Sequence, residues 1–132
     1  MLVILDSSML MLPLEKKINI TFELERIVPI DFKVVIPEII LKELKKLIEE
    51  SSPSTKQKAQ FALKLAEKYE ILHSKTEGNP DLELERLAEE HNAIIATNDA
   101  ALRLSLRQKG LPVISLHGDN KLSLFGFSEI AD

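Results

Sequence analysis

Four acids of this chain stand where carboxylates do chemistry. Asp6 directly follows the apolar run LVIL, and Asp99 follows AIIATN. Short runs rich in Ile and Val read as strands, so both acids stand at strand exits. In open α/β sheets ligands bind at that edge. Taken singly, each acid is equally well read as a helix N-cap or a first-turn acid favoured by the helix dipole. Glu43 stands differently. A helix advances about 100° per residue, and over 37–50 the apolar arc holds Ile39, Ile40, Leu41, Leu44, Leu47 and Ile48. Glu43 projects into that arc between Ile39 and Leu47, while Glu38, Lys42, Lys45, Lys46 and Glu49 point outward. An acid on a buried stripe is costly unless it is paired or metal-bound. The other readings are a buried salt bridge or a helix rotated to bring Glu43 to solvent. Asp81 shares a face with Leu84 and Ala88 at i, i+3, i+7 spacing, from which Glu83 and Glu85 diverge. It is also a first-turn acid.

Brought together, four carboxylates repel and raise one another's pKa. A divalent cation removes that conflict, and a set of oxygen ligands selects Mg²⁺ or Mn²⁺. The chain has no cysteine, and His73, His91 and His117 lack the HxxxH spacing, so a zinc site is not expected. The chemistry such an acidic cluster serves is phosphodiester hydrolysis, in which bound metal activates water and steadies phosphate charge.

The elements that must position these acids are short. Strand character appears at 2–5, 33–36, 93–97 and 112–116, and more weakly at 70–74. Helical patterns lie at 20–28, 37–50, 52–69, 79–91 and 98–110, with Pro37 suited to a first turn, Asn79 to a cap, and Gly110 to a stop. The tail, 121–127, reads as an edge strand or hairpin. Alternating strands and helices imply an α/β fold with a mostly parallel sheet and helices on both faces. The 132 residues fit a single domain, 1–132. A net charge of −4 argues against a generally basic, polyanion-binding surface. The apolar start is broken by Asp6, and no run reaches the roughly 18 apolar residues of a membrane span. A soluble, unexported, cytoplasmic protein is expected. With 4 glycines there is no phosphate-cradling Gly-rich loop. A receiver domain lacks its acidic pair, and a DxD phosphatase would need an acid where Ser8 stands.

VILDSS, IPEIILKEL, NPDLELERLA and AIIATNDAALR together resemble the PIN-domain nucleases, over about Leu2 to Phe125. Asp6, Glu43, Asp81 and Asp99 match the family's metal-binding catalytic acids, and Ser8 and Asn98 match positions that support the site by hydrogen bonds. The resemblance implies a three-layer α/β/α domain, a five-stranded sheet ordered 3-2-1-4-5, and Mg²⁺- or Mn²⁺-dependent cleavage of RNA. GLPVISL and the short strand after it look like the archaeal and eukaryotic rRNA-processing branch, while the compact length is similar to VapC toxins. Implied partners are RNA, an antitoxin or ribosome-assembly protein, and a second copy of the chain, with MLMLPL and 52–69 as exposed apolar surfaces. The chain departs from many relatives in having Leu82 after Asp81, where they carry a second acid. Lys42, Lys45, Lys56, Lys58, Arg103 and Arg107 are candidates for an RNA rim, or else ordinary solvated helix faces. A catalytically silent binding module of the same fold is the reading from a different class.

Overall fold

A strand covered on both faces must be apolar throughout, and β1 (Leu2–Leu5) meets that condition with Val3, Ile4 and Leu5 fully buried. It occupies the middle of the sheet in a computed structural model that describes residues 1–128. The expected domain span to residue 132 runs past the described residues. Ile4 lies opposite Val35 on one side and Ile95 on the other. Those partners belong to β2 (Lys33–Pro37) and β4 (Ile94–Ala96). Beyond them lie β3 (Glu70–Leu72) and β5 (Val113–His117). These five strands are parallel and follow the expected order 3-2-1-4-5. A sixth strand, β6 (Lys121–Phe125), adds antiparallel to β5 where the tail was expected to form an edge strand. Among the described residues the sheet thus has six strands, not five. Gly118, at φ 67°, opens the tight turn that reverses the chain into β6.

Among the described residues six helices connect the strands: α1 (Ser7–Lys16), α2 (Ile20–Ile27), α3 (Glu38–Glu50), α4 (Pro53–Ala66), α5 (Pro80–His91) and α6 (Ala100–Gln108). The crossovers from β1 to β2 to β3 run one way along the sheet, and β4 to β5 runs the other. Right-handed connections therefore put α1–α4 on one face and α5–α6 on the other. Pro37 ends β2 at the N-cap position of α3, not within its first turn as expected. Among the described residues no helix is long and apolar enough to cross a membrane.

Helix α1 is the element that the sequence pattern did not signal. Its run is almost continuously apolar, so no helical period stands out, and Pro13 lies inside it. It forms because Asp6 caps it and because Met9, Leu10 and Leu12 are fully buried. Pro13 removes one backbone donor near the C-terminal end, and Lys17, in the left-handed region at φ 53°, closes the helix. MLMLPL is therefore mostly core, and of its leucines only Leu14 is exposed. The expected apolar docking surface there is not present.

A buried carboxylate holds the tail strand. Glu23 on α2 accepts from the backbone N–H of Leu122 at 2.9 Å and from Arg26 Nη2 at 2.7 Å. Arg26 also donates to the Leu122 carbonyl. Both donors hold the Glu23 carboxyl below the usual range, the Arg26 hydrogen bond most.

Leu10→Ala should lower the unfolding free energy by about 2–5 kcal/mol, the cost of a core cavity. Leu14→Ala on the same helix should change it by less than about 0.5 kcal/mol. Urea denaturation of the two variants measures both values, and equal small effects would show that α1 is not packed.

Candidate active site

Three of the four acids are anchored by helix starts. Asp6 is the N-cap of α1, its Oδ1 accepting from Met9 N–H at 2.8 Å. Asp99 is the N-cap of α6, its Oδ1 accepting from Ala101 N–H at 2.8 Å and Leu102 N–H at 3.2 Å. Both of those bonds fall on one oxygen, so Oδ2 is left to the cleft. Asp81 lies in the first turn of α5, whose cap is Asn79. Gly78, at φ 91°, makes the turn that delivers Asn79 to that position. Glu43 comes from the middle of α3 and accepts a hydrogen bond from Ser7 Oγ. The cap reading is thus realised at Asp6 and Asp99.

The four carboxylates line one cleft of about 170 Å³, walled by Ile40, Leu47 and Leu84. It lies at the carboxyl ends of β1 and β4, the neighbours between which the strand order changes direction. Asp6 is 5% exposed and densely hydrogen-bonded. Ser8 Oγ donates to Oδ1 at 2.8 Å, and Thr97 Oγ1 donates to Oδ2. Ser8 Oγ in turn accepts from Asn98 N–H at 2.8 Å, and Thr97 Oγ1 accepts from Asp99 N–H at 3.0 Å. Two hydroxyls therefore tie the exit of β1 to the exit of β4. Oδ1 of Asp6 holds two donors, while Oδ2 holds one and keeps a lone pair for a further partner.

Burial pushes the Asp6 carboxyl up from 3.8 to about 6, against the lowering effect of its bonds from Thr97, Met9 and Ser8, and Glu43 adds repulsion. Asp81 is also raised, first by burial and then by Asp99, Glu43 and Glu85. Such mutual repulsion is what a bound cation would relieve. The donor set is oxygen only, which fits a hard divalent ion. As the side chains lie, no three acids or histidines among the described residues stand close enough to grip one ion. The donor chemistry and the remaining lone pair on Asp6 Oδ2 fit such an ion, and the side chains are not drawn in around one.

Several residues differ from expectation. Ser7 and Thr97 hold the site together, and neither was anticipated. Their signal is a hydroxyl residue within two positions of each strand-exit acid, in DSS and ATND. Asn98 contributes through its backbone N–H. Glu83 and Glu85 do not diverge to solvent; each is 5% exposed. Glu83 accepts from Arg86 and from Lys75 N–H, and Glu85 accepts from Ser105 and Lys109. Of the basic residues, Arg107 stands at the far end of α6, roughly 12 Å along the axis from Asp99, with its guanidinium packed over Gly126. It is not part of a rim. Arg103 lies one turn from Asp99 and is half-buried. Lys56 and Lys58 stand on α4, which contributes nothing to the cleft lining. Lys45 is exposed on α3, and Lys42 pairs with Glu77.

The fold and site together define a class: a doubly wound α/β protein with an oxygen-only acidic cleft at its switch point. Within that class the chain belongs to the family described as the PIN like domain, whose model matches residues 3–119. It is similar to Ribonuclease VapC9 of Archaeoglobus fulgidus, 34% identical over 100 residues, which are 76% of this chain and 70% of that one. Ribonuclease VapC4 of Methanocaldococcus jannaschii is 28% identical over 123 residues, 92% of this chain and 94% of that one. Among solved structures, the PIN domain endonuclease Utp24 shares the fold with a TM-score of 0.77 at 23% identity, covering 99% of this chain and 96% of that one. VapBC-1 from nontypeable Haemophilus influenzae shares it with a TM-score of 0.59 at 18% identity, over 82% and 94% of the two chains.

The raised pKa of Asp6 has a stability consequence with a definite sign. The folded state holds a proton that the unfolded chain releases, so this contribution is complete below about pH 4 and is lost as pH rises through about 6. Metal-free protein should therefore lose up to about 3 kcal/mol from this group between pH 4 and pH 8. Asp6→Asn, which has no proton to lose, should escape that loss. Denaturant titrations of the two proteins in EDTA across that range measure the difference, and a gap independent of pH would refute the assignment.

Proposed function

We propose that this chain is a Mg²⁺- or Mn²⁺-dependent endoribonuclease whose metal is held by Asp6, Glu43, Asp81 and Asp99. The observation that carries the reading is the convergence of four acids from four separate segments on one cleft at the sheet's switch point. Two relatives named as ribonucleases and a fold neighbour named as an endonuclease support it. When bound, the metal supplies an activated water and charge neutralisation at the phosphate. The chain's own part is to hold and orient. Ser8 and Thr97 keep the Asp6 carboxylate aimed by fixing three of its four lone-pair positions together with Met9 N–H. Ser7 does the same for Glu43. Ile40, Leu47 and Leu84 wall the cleft with apolar surface, which strengthens the charge interactions inside it.

The names of the sequence relatives favour a VapC-type ribonuclease, with a protein antitoxin as partner, over a role in rRNA processing. Induced expression discriminates the two. A VapC-type enzyme arrests growth of its host unless its partner is co-expressed.

Asp6→Asn should reduce RNA cleavage by about 100-fold or more and abolish the thermal stabilisation that Mn²⁺ gives the parent. Thr97→Val, which keeps the carboxylate but removes its hydroxyl partner, should weaken Mn²⁺ binding roughly 10- to 100-fold. Gel-based cleavage and Mn²⁺ titration followed by melting temperature test both. Full cleavage by Asp6→Asn would end the reading.

A further inference from the structure

The carboxylate cleft continues sideways. Between α3 and the 76–80 segment lies a second groove of about 330 Å³, and Glu43 lines both. Lys42 and Lys46, one turn apart on α3, form one wall, and Thr76, Glu77 and Gly78 form the other. Nothing lies within 4 Å of where a Cβ would sit at Gly78, so that wall is low and open. Lys42 Nζ reaches across the groove to Glu77 Oε1 at 2.5 Å. The Glu77 side chain is 88% exposed and free to swing into solvent.

We propose that this groove carries a single RNA strand on one side of the scissile phosphate, with Lys42 and Lys46 each taking a backbone phosphate and Glu77 acting as a resident anion that the strand displaces. The inference rests on the ribonuclease reading and adds the strand's path and a gate across it. An exposed ion pair contributes little, so its opening is cheap. A phosphate that replaces the Glu77 carboxylate also releases condensed counterions, which gives the exchange its driving force. The lysines are one turn apart, so each meets its own phosphate. No aromatic side chain lines the groove among the described residues. It therefore offers no stacking platform for bases, and the contact reads the backbone and tolerates sequence. Glu77 explains how a chain of net charge −4 admits a polyanion. The positive charge is present but masked until a strand competes for it.

The test is binding of a fluorescein-labelled single-stranded oligoribonucleotide, measured by anisotropy at several salt concentrations. The protein is the Asp6→Asn variant in EDTA, so that binding is read without cleavage. Lys42→Gln and Lys46→Gln should each reduce the slope of log affinity against log salt by about 0.7, equally for different sequences. Glu77→Gln should tighten binding about two- to fivefold, and that gain should vanish when Lys42→Gln is also present. All three side chains are exposed, so the fold is retained, which circular dichroism checks. Unchanged slopes in both lysine variants, or no gain from Glu77→Gln, overturn the groove. If the parent chain still cleaves RNA in that case, the ribonuclease reading stands. A parent chain that neither binds nor cleaves RNA removes that reading and the groove with it.

Discussion

A carboxylate buried at the end of a central strand has to be hydrogen-bonded on every side, protonated, or matched by a cation. Asp6 meets the first condition almost completely, and much of the molecule is arranged around it. One oxygen starts α1 and binds Ser8, and the other binds Thr97. Its own N–H donates to the Ala96 carbonyl of β4 at 3.2 Å. Helix start, strand pairing and cleft wall thus share one residue. A single oxygen position is left over on a residue that lines the cleft shared with the other acids.

The same device recurs away from the cleft. Glu23 fastens α2 to β6, Glu83 joins α5 to the segment before it, and Glu85 links α5 to α6 through Ser105 and Lys109. Each of these carboxylates is buried, and each is matched by a cation and by further donors. Those acids are held charged by Arg or Lys, as the lowered pKa values of all three reflect. Among the described residues the cleft acids have no such counter-ion, and Asp6 and Asp81 move the other way. The direction of the shift separates these three fastening acids from Asp6 and Asp81.

The sequence made the sheet legible because its central strands are short Ile/Val runs that are largely buried, and the exits of β1 and β4 located Asp6 and Asp99. Helical phase located Glu43, since an acid inside an apolar arc stands out. Phase put Glu83 and Glu85 off the Asp81 face but could not show their burial, because a carboxylate with a dedicated partner tolerates burial that composition alone argues against. It failed for α1 because a helix that is apolar on nearly every side has no visible period. The roles of Thr97 and Ser7 were missed for another reason. A hydroxyl becomes structural only when a distant segment supplies its partner, and Thr97 lies 91 residues from Asp6. Arg107 lies on the expected helix but about two turns from Asp99, too far along its axis to border the cleft.

Three helices begin at the cleft, with Asp6 and Asp99 as caps and Asp81 in a first turn. Each start carries roughly half a positive charge from its aligned peptide dipoles. The cleft is therefore less electronegative than its count of acids suggests. Backbone, not side chains, supplies the opposing field, and it is built into the fold and does not titrate. A region that looks purely acidic in the sequence is in this sense electrically mixed, with anionic tips set on cationic helix ends.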